Sequence, residues 1–325
     1  MVASPEATVN SVNSDLAISV EHLRMDYGSH RAVNDLSFQV RRGEIYALLG
    51  PNGAGKTTTV EILEGHRRRT AGGVRVLGVD PARGGRRWRQ RVGIVLQSGG
   101  LDAELTVGEL VRLYGGFYAH PRDVAQTIDR VGLADKCRAR ARTLSGGQLR
   151  RLDLALALVG DPELVFLDEP TTGFDPTARR SAWEMIDELS TNGTTVLLTS
   201  HYLDEVQRLA DRVGVLSGGQ LIAESTPSAL GRRDVAETVI SFQPWDTVSV
   251  PVSLPDGPWG PPQRHGDRLV LHTVQPTEAL FALTSWALRQ RRDLRSLTVT
   301  RPSLEDVYLQ LTDDATVRSG AGDAH

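Results

Sequence analysis

The stretch GPNGAGKTT, residues Gly50 to Thr58, decides how this chain folds. It matches the pattern G-x-x-x-x-G-K-[ST], in which Gly55, Lys56 and Thr57 fill the last three fixed positions. The apolar run IYALL precedes it and TTTVEILEG follows, which predicts a strand, a glycine-rich loop and a helix in that order. Glycines let backbone N–H groups converge on phosphate oxygens, and a helix N-terminus adds free donors. The stretch therefore predicts an α/β domain with a phosphate-binding loop.

The side chains of this loop fit the same chemistry. Lys56 is predicted to place a compact positive charge on the β- and γ-phosphates of a nucleotide, and Thr57 to offer a hydroxyl to Mg²⁺. Only Lys56 and Lys136 are lysines among the 37 basic residues, so a lysine retained in the loop supports a role that arginine does not fill. The predicted phosphate-contacting residues are Gly50, Pro51, Asn52, Gly53, Ala54, Gly55, Lys56, Thr57 and Thr58.

The run LVFLDEP, Leu164 to Pro170, places two acids at the end of an apolar strand. Ligands of open α/β sheets bind at the carboxyl ends of the strands, where such acids would lie. Asp168 is therefore predicted to hold Mg²⁺, directly or through water, and Glu169 to act as the general base for an attacking water. The alternative is a solvated strand end without a chemical role, and the phosphate loop upstream favours the functional interpretation.

The hexamer LSGGQL occurs twice, at Leu144–Leu149 and at Leu216–Leu221. The first copy leads into LRRLDLALALVGDP, whose apolar positions share one helical face, so Ser145 is predicted to cap a helix that offers a second anion-binding end. The second copy lies between the short apolar runs VGVL and LIAES, which predicts a β-hairpin with Gly218 and Gly219 in its turn. We therefore expect a chemical role for the first copy and a structural role for the second.

Other runs place the phosphate loop in a larger α/β architecture. VGIVLQ and TTVLLTS are short, branched and apolar, as is typical of strands buried on both faces of a mostly parallel sheet. Asp175 and Pro176 predict the start of a helix. Strand patterns fade between residues 98 and 160, where TVGELVRLYGGFY and DVAQTIDRVGL follow a helical period. We therefore expect a helical insertion there.

The chain is long enough for two domains. Residues 1–15 are small and polar, which predicts a disordered leader. The α/β domain is expected over residues 16–226. A small α+β domain is expected over residues 227–312, where a proline-rich stretch separates strand-like runs and TEALFALTSWALRQ predicts a helix. Residues 313–325 are expected to form a flexible tail.

The composition narrows the class of protein. The formal net charge is −3, from 37 basic and 40 acidic residues, so no nucleic acid partner is expected, and the arginine runs Arg67–Arg69 and Arg83–Arg91 are interpreted as solvated surface. The single cysteine, Cys137, excludes an intramolecular disulfide. No apolar run approaches the roughly 18 residues of a membrane-spanning helix, and the first residues lack a secretion signal. These features predict a cytoplasmic protein.

The phosphate loop, LSGGQ, LDEP and a histidine after the next strand, His201, occur in this order. In this respect the chain resembles the ATP-binding cassette of ABC transporters over residues 17–226. The resemblance implies a P-loop ATPase that binds ATP and Mg²⁺. It also implies a head-to-tail dimer of this chain with itself or with a paralogous cassette, in which the LSGGQ run of one subunit closes on the γ-phosphate held by the other.

The resemblance assigns further roles to single residues. It implies that Tyr27 stacks on adenine, although an ordinary half-buried strand tyrosine is the alternative, and that His201 contacts the γ-phosphate. It implies that Gln97 senses Mg²⁺ and that Asp175 communicates between the two sites. Phe174 stands where the family usually has leucine. The implied contacts to the partner's nucleotide are Ser145, Gly146, Gly147 and Gln148. The implied catalytic residues are Lys56, Gln97, Glu169 and His201. The implied metal ligands are Thr57, Gln97 and Asp168.

The C-terminal run LTVTRPSLEDVYLQLT, Leu297 to Thr312, resembles the end of the ATPase subunits of drug and lipid exporters, including the daunorubicin-resistance type. An amphipathic helix capped by Ser303 would explain the same residues. The resemblance implies a subunit on the inner face of the cell membrane that drives a separate integral membrane permease. Three alternatives stay open: a soluble ABC ATPase acting on ribosomes or DNA, the ATPase of an uptake system, and a non-catalytic interaction protein.

Overall fold

The computed structural model describes residues 15–95, 102–230, 238–244 and 254–300. The chain divides into two compact units, Met1–Pro227 and Ser228–His325. Several predictions lie outside the described residues: the leader up to residue 14, the site residue Gln97, the helix predicted from PSLEDVYLQL, and the tail. No helix of the described ranges combines the length and the apolar character needed to cross a membrane.

The first unit contains both sheets that surround the phosphate loop. Its strands are β1 (Leu16–Tyr27), β2 (His30–Arg41), β3 (Ile45–Leu49), β4 (Ala71–Val76), β5 (Val92–Val95), β6 (Leu164–Asp168), β7 (Thr195–Ser200), β8 (Arg212–Ser217) and β9 (Gln220–Ser225). Its helices are α1 (Lys56–Leu63), α2 (Arg86–Arg89), α3 (Val107–Gly115), α4 (Val124–Arg130), α5 (Gly146–Leu158), α6 (Pro176–Thr191) and α7 (Leu203–Leu209). Short 3-10 turns cover Pro81–Arg83, Ala134–Lys136 and Ala141–Thr143.

The core sheet has the strand order β5–β6–β7–β3–β8–β9 among the described residues, and its pairs are parallel except for the antiparallel β8–β9. Every residue of β3, β6 and β7 is buried, because these short apolar strands are covered on both faces. The register pairs Leu49 with Ser200 and Asp168 with Thr199. The carboxyl ends of β3, β6 and β7 therefore lie side by side, and the predicted mostly parallel sheet is confirmed.

The other sheet of the first unit is antiparallel, with the order β2–β1–β4. Phe38 on β2 stacks on Tyr46 on β3, with ring centroids 5.3 Å apart, so the two sheets share one apolar core. Tyr27 ends β1 and pairs with His30 across the turn into β2. Ala32, near the start of β2, lies against Gly55, so this turn is next to the phosphate loop.

The predicted helical insertion is confirmed over its described part. Helices α3, α4 and α5 follow one another between β5 and β6 without an intervening strand in the described residues. Thr106 and Glu109 form a reciprocal capping box at the start of α3, which fixes where that helix begins. The buried face of α5 includes Leu152 and Leu156, as the helical period predicted.

The second unit is a small α+β domain, as predicted. Its described elements are β10 (Thr238–Gln243), β11 (Gln263–His265), β12 (Arg268–Thr273), α8 (Pro276–Arg289) and β13 (Arg295–Thr300). The strands form an antiparallel sheet in the order β11–β12–β10–β13. One face of the sheet packs on α8 through a core that includes Ile240, Phe242, Leu271 and Leu283. None of the described site residues predicted from the sequence belongs to this unit.

Candidate active site

The phosphate loop connects the buried strand β3 to α1. Gly53 and Gly55 have φ values of +82° and +97°, a region that other residues rarely adopt. A Cβ at Gly55 would lie 2.5 Å from the carbonyl oxygen of Ala32, so only glycine fits there. No side chain caps α1. The first N–H groups of the helix are therefore available to an anion.

Lys56 is 6% exposed and its side chain turns back into the loop. Its Nζ donates to the carbonyl oxygens of Gly50 at 2.7 Å and Pro51 at 3.1 Å. Burial lowers the pKa of the Lys56 ammonium, and the carboxylates of Glu169 and Asp168 oppose that effect. A polyphosphate in the loop would add the negative charge that favours the charged lysine.

The two acids after β6 have different environments. Asp168 is buried, and its Oδ1 accepts a hydrogen bond of 2.5 Å from Thr199 Oγ1, which orients the carboxylate. Glu169 has φ +49°, a left-handed conformation that costs roughly 1–3 kcal/mol for a residue with a side chain. Its N–H donates to the carbonyl and hydroxyl oxygens of Thr199 at 3.2 and 3.1 Å. Strand β7 therefore supports both acids.

The carboxylate of Glu169 is held on both oxygens. His201 Nδ1 lies 3.1 Å from Oε1, and Thr172 Oγ1 donates to Oε2 at 3.2 Å. Because a carboxylate is an acceptor, this pairing requires the His201 proton on Nδ1. The ring of Tyr202 packs on that of His201 with centroids 4.0 Å apart. The structure thus brings the predicted base and the predicted histidine into direct contact.

A cavity of about 470 Å³ lies over the phosphate loop, a size within the range of small-molecule sites. Tyr27 is half-exposed at its wall, and the Arg67 guanidinium lies 5.1 Å from the centroid of the Tyr27 ring. His30, which lines the cavity, and Arg67, which contacts Tyr27, were not predicted at the site, because only the turn after β1 and the loop after α1 bring them there. The described residues that line the cavity are Tyr27, His30, Ala32, Asn52, Gly53, Gly55, Lys56, Thr57, Thr58 and Glu169.

The first hexamer forms a helix end, as predicted, away from this cavity. Ser145 caps α5 through a bond from Gln148 N–H at 3.3 Å, and Gln148 Oε1 accepts from Ser145 N–H at 3.0 Å. Ser145 and Gly146 are exposed. Neither these residues nor Gly147 and Gln148 line the cavity over the loop. The second anion-binding end of this chain therefore faces elsewhere.

Asp175 caps α6, as predicted. Its Oδ1 accepts from the N–H groups of Thr177 and Ala178, both at 2.9 Å. The residue is exposed and does not line the cavity over the loop. Its role in the structure of one chain is to begin a helix, and its implied role between sites stays a prediction.

The second hexamer forms the predicted hairpin between β8 and β9, with Gly218 and Gly219 at φ +55° and +78°. The turn of this hairpin also contacts the phosphate loop, which the sequence did not predict. Gly219 N–H donates to the carbonyl of Ala54 at 3.2 Å, and the Gly219 carbonyl accepts from Asn34 N–H at 2.8 Å. The second copy therefore supports the back of the phosphate loop.

Comparisons with known proteins agree with this geometry. A family model described as "ABC transporter" matches residues 33–172, and one described as "ABC transporter domain-containing protein-like, C-terminal domain" matches residues 238–303. A protein of Paraburkholderia xenovorans (strain LB400) named Nod factor export ATP-binding protein I is 40% identical over 310 residues, 92% of this chain and 97% of that protein. This chain belongs to the ABC transporter ATP-binding subunits. Members of this family are ATPases.

Solved structures of ABC cassettes match about two thirds of this chain. A structure described as the ATP binding subunit of an ABC transporter has a TM-score of 0.61 and 27% identity, over 66% of this chain and 91% of its own. The structure of cbiO1 from Clostridium perfringens, described as part of the ABC transporter complex cbiONQ, has a TM-score of 0.59 and 27% identity, over 66% of this chain and 90% of its own. The cassette fold is therefore confirmed.

The site of this ABC ATPase fits Mg²⁺ with ATP. Mg²⁺ is usually held by one or two protein oxygens together with substrate phosphates, rather than by a cage of side chains. Thr57 supplies a hydroxyl at the start of α1 and Asp168 an oriented carboxylate at the end of β6. The loop's free N–H groups and Lys56 supply what a polyphosphate requires. Gln97, the other predicted ligand, lies outside the described residues.

Proposed function

We propose that this ABC ATPase is the energy-supplying subunit of an exporter. It binds ATP with Mg²⁺, dimerises around two nucleotides, hydrolyses them and drives a separate membrane permease. The observation that supports the proposal is that two helices, α1 and α5, have N-termini suited to binding an anion. The N-terminus of α1 opens into the cavity over the loop, whereas Ser145, at the N-terminus of α5, does not line that cavity. In a dimer, the N-terminus of α5 can contact the nucleotide bound by the second chain.

The proposed dimer is two-fold and head to tail, so each site combines the loop of one chain with Ser145 and Gly147 of the other. The exposed residue Ser145 and the first N–H groups of α5 other than that of Gln148, which Ser145 Oγ already accepts, would face the γ-phosphate held by the partner. The partner is a second copy of this chain or a paralogous cassette. Complete sites then form only when two chains meet.

Within each site the proposed reaction is in-line attack of water on the γ-phosphate, which breaks its bond to the β–γ bridging oxygen and releases ADP and phosphate. Glu169 accepts the proton of that water, and His201 and Thr172 hold its carboxylate in place. Lys56 and the N–H groups of α1 bind the phosphates. Thr57 and Asp168 would hold Mg²⁺, which neutralises phosphate charge when bound. Tyr27 would offer its ring to the adenine, with roughly 1–3 kcal/mol from stacking.

The proposal of export rests on likeness. The relative from Paraburkholderia is named for the export of Nod factor, and the match covers 92% of the present chain. The cbiO1 structure is described as part of a transporter complex. We infer that this chain likewise works on the inner face of the cell membrane with a permease. The permease would carry the substrate path, so the cargo is not assigned.

The test is recovery of the tagged full-length chain from its native cells in mild detergent. The proposal predicts that an integral membrane protein with several spans co-purifies in about equal amount. Recovery from the soluble fraction with ribosomal or DNA-associated proteins would contradict it. Loading of the cargo into inside-out vesicles on addition of ATP, once a permease is known, would separate export from uptake.

A further inference from the structure

Arg150 lies on the first turns of α5 and reaches back to the loop that follows β6. Its Nη2 donates to the carbonyl oxygen of Asp168 at 2.8 Å and of Glu169 at 3.3 Å, and its Nε donates to that of Pro170 at 3.3 Å. One guanidinium therefore contacts three consecutive carbonyls. The middle one belongs to the residue proposed as the general base.

The backbone at Glu169 depends on such support. A residue with a side chain keeps φ +49° only where its surroundings fix it. The Glu169 N–H donates to Thr199 on β7, and its carbonyl accepts from Arg150 on α5 and from Thr172 N–H in its own loop, both at 3.3 Å. Both peptide groups of the general base thus have a partner outside its own loop. A shift of α5 would move Glu169.

A small void adjoins Arg150. A cavity of about 20 Å³ lies between α5, β6 and α6, which is near the volume that a single water requires. Phe174, which stands where the family usually has leucine, is part of its wall. The described lining residues are Val95, Arg150, Arg151, Leu154, Leu167, Pro170, Phe174, Ala182, Met185 and Ile186. The void lies beside both the helix and the strand that ends in Asp168.

We propose that Arg150 is a positioning residue that links the LSGGQ helix of a chain to that chain's own Glu169. The inference rests on the proposed function, in which Ser145 contacts the nucleotide of the partner. Ser145 and Arg150 lie on one rigid helix, so closure of α5 on the partner's nucleotide is transmitted to Glu169 in its own site. Each site of the dimer then adjusts the base of the other.

Arginine suits this position for a geometric reason. Its planar guanidinium offers several donors in a fixed fork, so it contacts three carbonyls at once. A lysine has the same charge but a single ammonium on a flexible stem. Replacement by lysine therefore removes the fork and keeps the charge, which separates positioning from electrostatics.

The test compares Arg150→Lys and Arg150→Met with the wild type in the full chain. The control is Arg112→Lys, an exposed arginine on α3. We expect kcat to fall roughly 10²-fold in both Arg150 variants, the effect of a misplaced catalytic group, with the Kd for ATP unchanged within about twofold. The control keeps its kcat. Loss of ATP binding in parallel with kcat in Arg150→Lys would show that Arg150 only supports the fold and would overturn the proposal.

Combination with Glu169→Gln gives the decisive comparison. If Arg150 acts through Glu169, the double variant with Arg150→Lys hydrolyses ATP no more slowly than Glu169→Gln alone. Losses that multiply would contradict the link. Wild-type turnover in Arg150→Lys, in an enzyme that Glu169→Gln inactivates, would overturn this inference and leave the proposed function intact. Near-normal turnover of Glu169→Gln alone would instead overturn the general base of the proposed function.

Discussion

His201 Nδ1 lies 3.1 Å from Oε1 of Glu169, so the histidine after β7 holds the acid after β6. The two residues follow adjacent parallel strands, and the sheet register places them at one edge. With Nδ1 bound to the carboxylate, the imidazole orientation is fixed and Nε2 is the nitrogen left for a ligand. The contact indicates that His201 orients the base in addition to its predicted contact with phosphate.

Replacement of Glu169 by glutamine keeps the size and removes the basic oxygen. We expect ATP binding to be retained and turnover to fall roughly 10²–10⁴-fold, the usual contribution of a general base. The measurement is steady-state phosphate release beside equilibrium binding of a fluorescent ATP analogue. Near-normal hydrolysis would refute the assignment of Glu169.

Replacement of His201 by alanine removes the partner of Glu169 Oε1 and leaves the loop unchanged. We expect turnover to fall roughly 10²-fold with ATP affinity close to wild type, because the ring orients the general base while Lys56 and the N–H groups of the loop supply most of the phosphate contacts. His265→Ala, an exposed histidine of the second unit, is the matched control. A large loss of ATP affinity in His201→Ala would show that its role lies mainly in binding.

The main elements of the site could be predicted from the sequence because each one has a local pattern. Buried parallel strands are short, branched and apolar, and the phosphate loop has fixed glycines. The two hexamers were separated by their flanks: one leads into a helical period and the other into strands. The structure confirms the capped helix at Ser145 and the hairpin at Gly218 and Gly219.

Contacts between residues that are far apart in the sequence have no local sequence pattern from which they could be predicted. Nothing in the residues near Glu169 predicts its left-handed φ, since glutamate rarely adopts it and tertiary contacts impose it. Arg150 reads as one arginine of a helix until the sheet brings three carbonyls to it. The bond of Gly219 to Ala54 likewise depends on β8 lying beside β3.

The hairpin behind the phosphate loop offers a matched pair of glycines. A Cβ at Gly219 would lie 2.8 Å from the Ala32 carbonyl, whereas a Cβ at Gly218 meets nothing within 4 Å. Both have positive φ, so both alanine variants carry a similar strain of roughly 1–2 kcal/mol. We expect Gly219→Ala to weaken ATP binding roughly tenfold through displacement of the loop, and Gly218→Ala to leave it close to wild type. Equal affinities, measured by titration calorimetry, would exclude this support.

Glu64 follows α1 and its side chain is 3% exposed, with His66 Nδ1 3.2 Å from Oε2. Burial raises the pKa of the Glu64 carboxyl to about 8, and the negative charges of Asp168 and Glu61 add to the effect. Between its ordinary value of 4.5 and about 8 the folded chain keeps a proton that the unfolded chain has lost. The free energy of unfolding contributed by this group therefore falls as pH rises through that window and stays low above it.

Glu64→Gln removes this titration and keeps the shape of the neutral acid. The quantity to compare is the free energy of unfolding of the variant minus that of the wild type. We expect this difference to be at least about 1.4 kcal/mol larger at pH 8.5 than at pH 5, which is the equivalent of one pKa unit. Urea unfolding of the nucleotide-free chain at both pH values measures it. A difference between variant and wild type that does not change with pH would contradict the raised pKa.

The proposal that two chains share each ATP site is tested most directly by mixing two inactive variants. Lys56→Met disables the phosphate loop and Ser145→Arg disables the LSGGQ end, so neither dimer has an intact site. Half of the dimers in an equal mixture combine both chains, and each of these has one intact site of two. We expect recovery of about a quarter of the wild-type ATPase rate on mixing. A mixture no more active than its separate components would contradict the shared site.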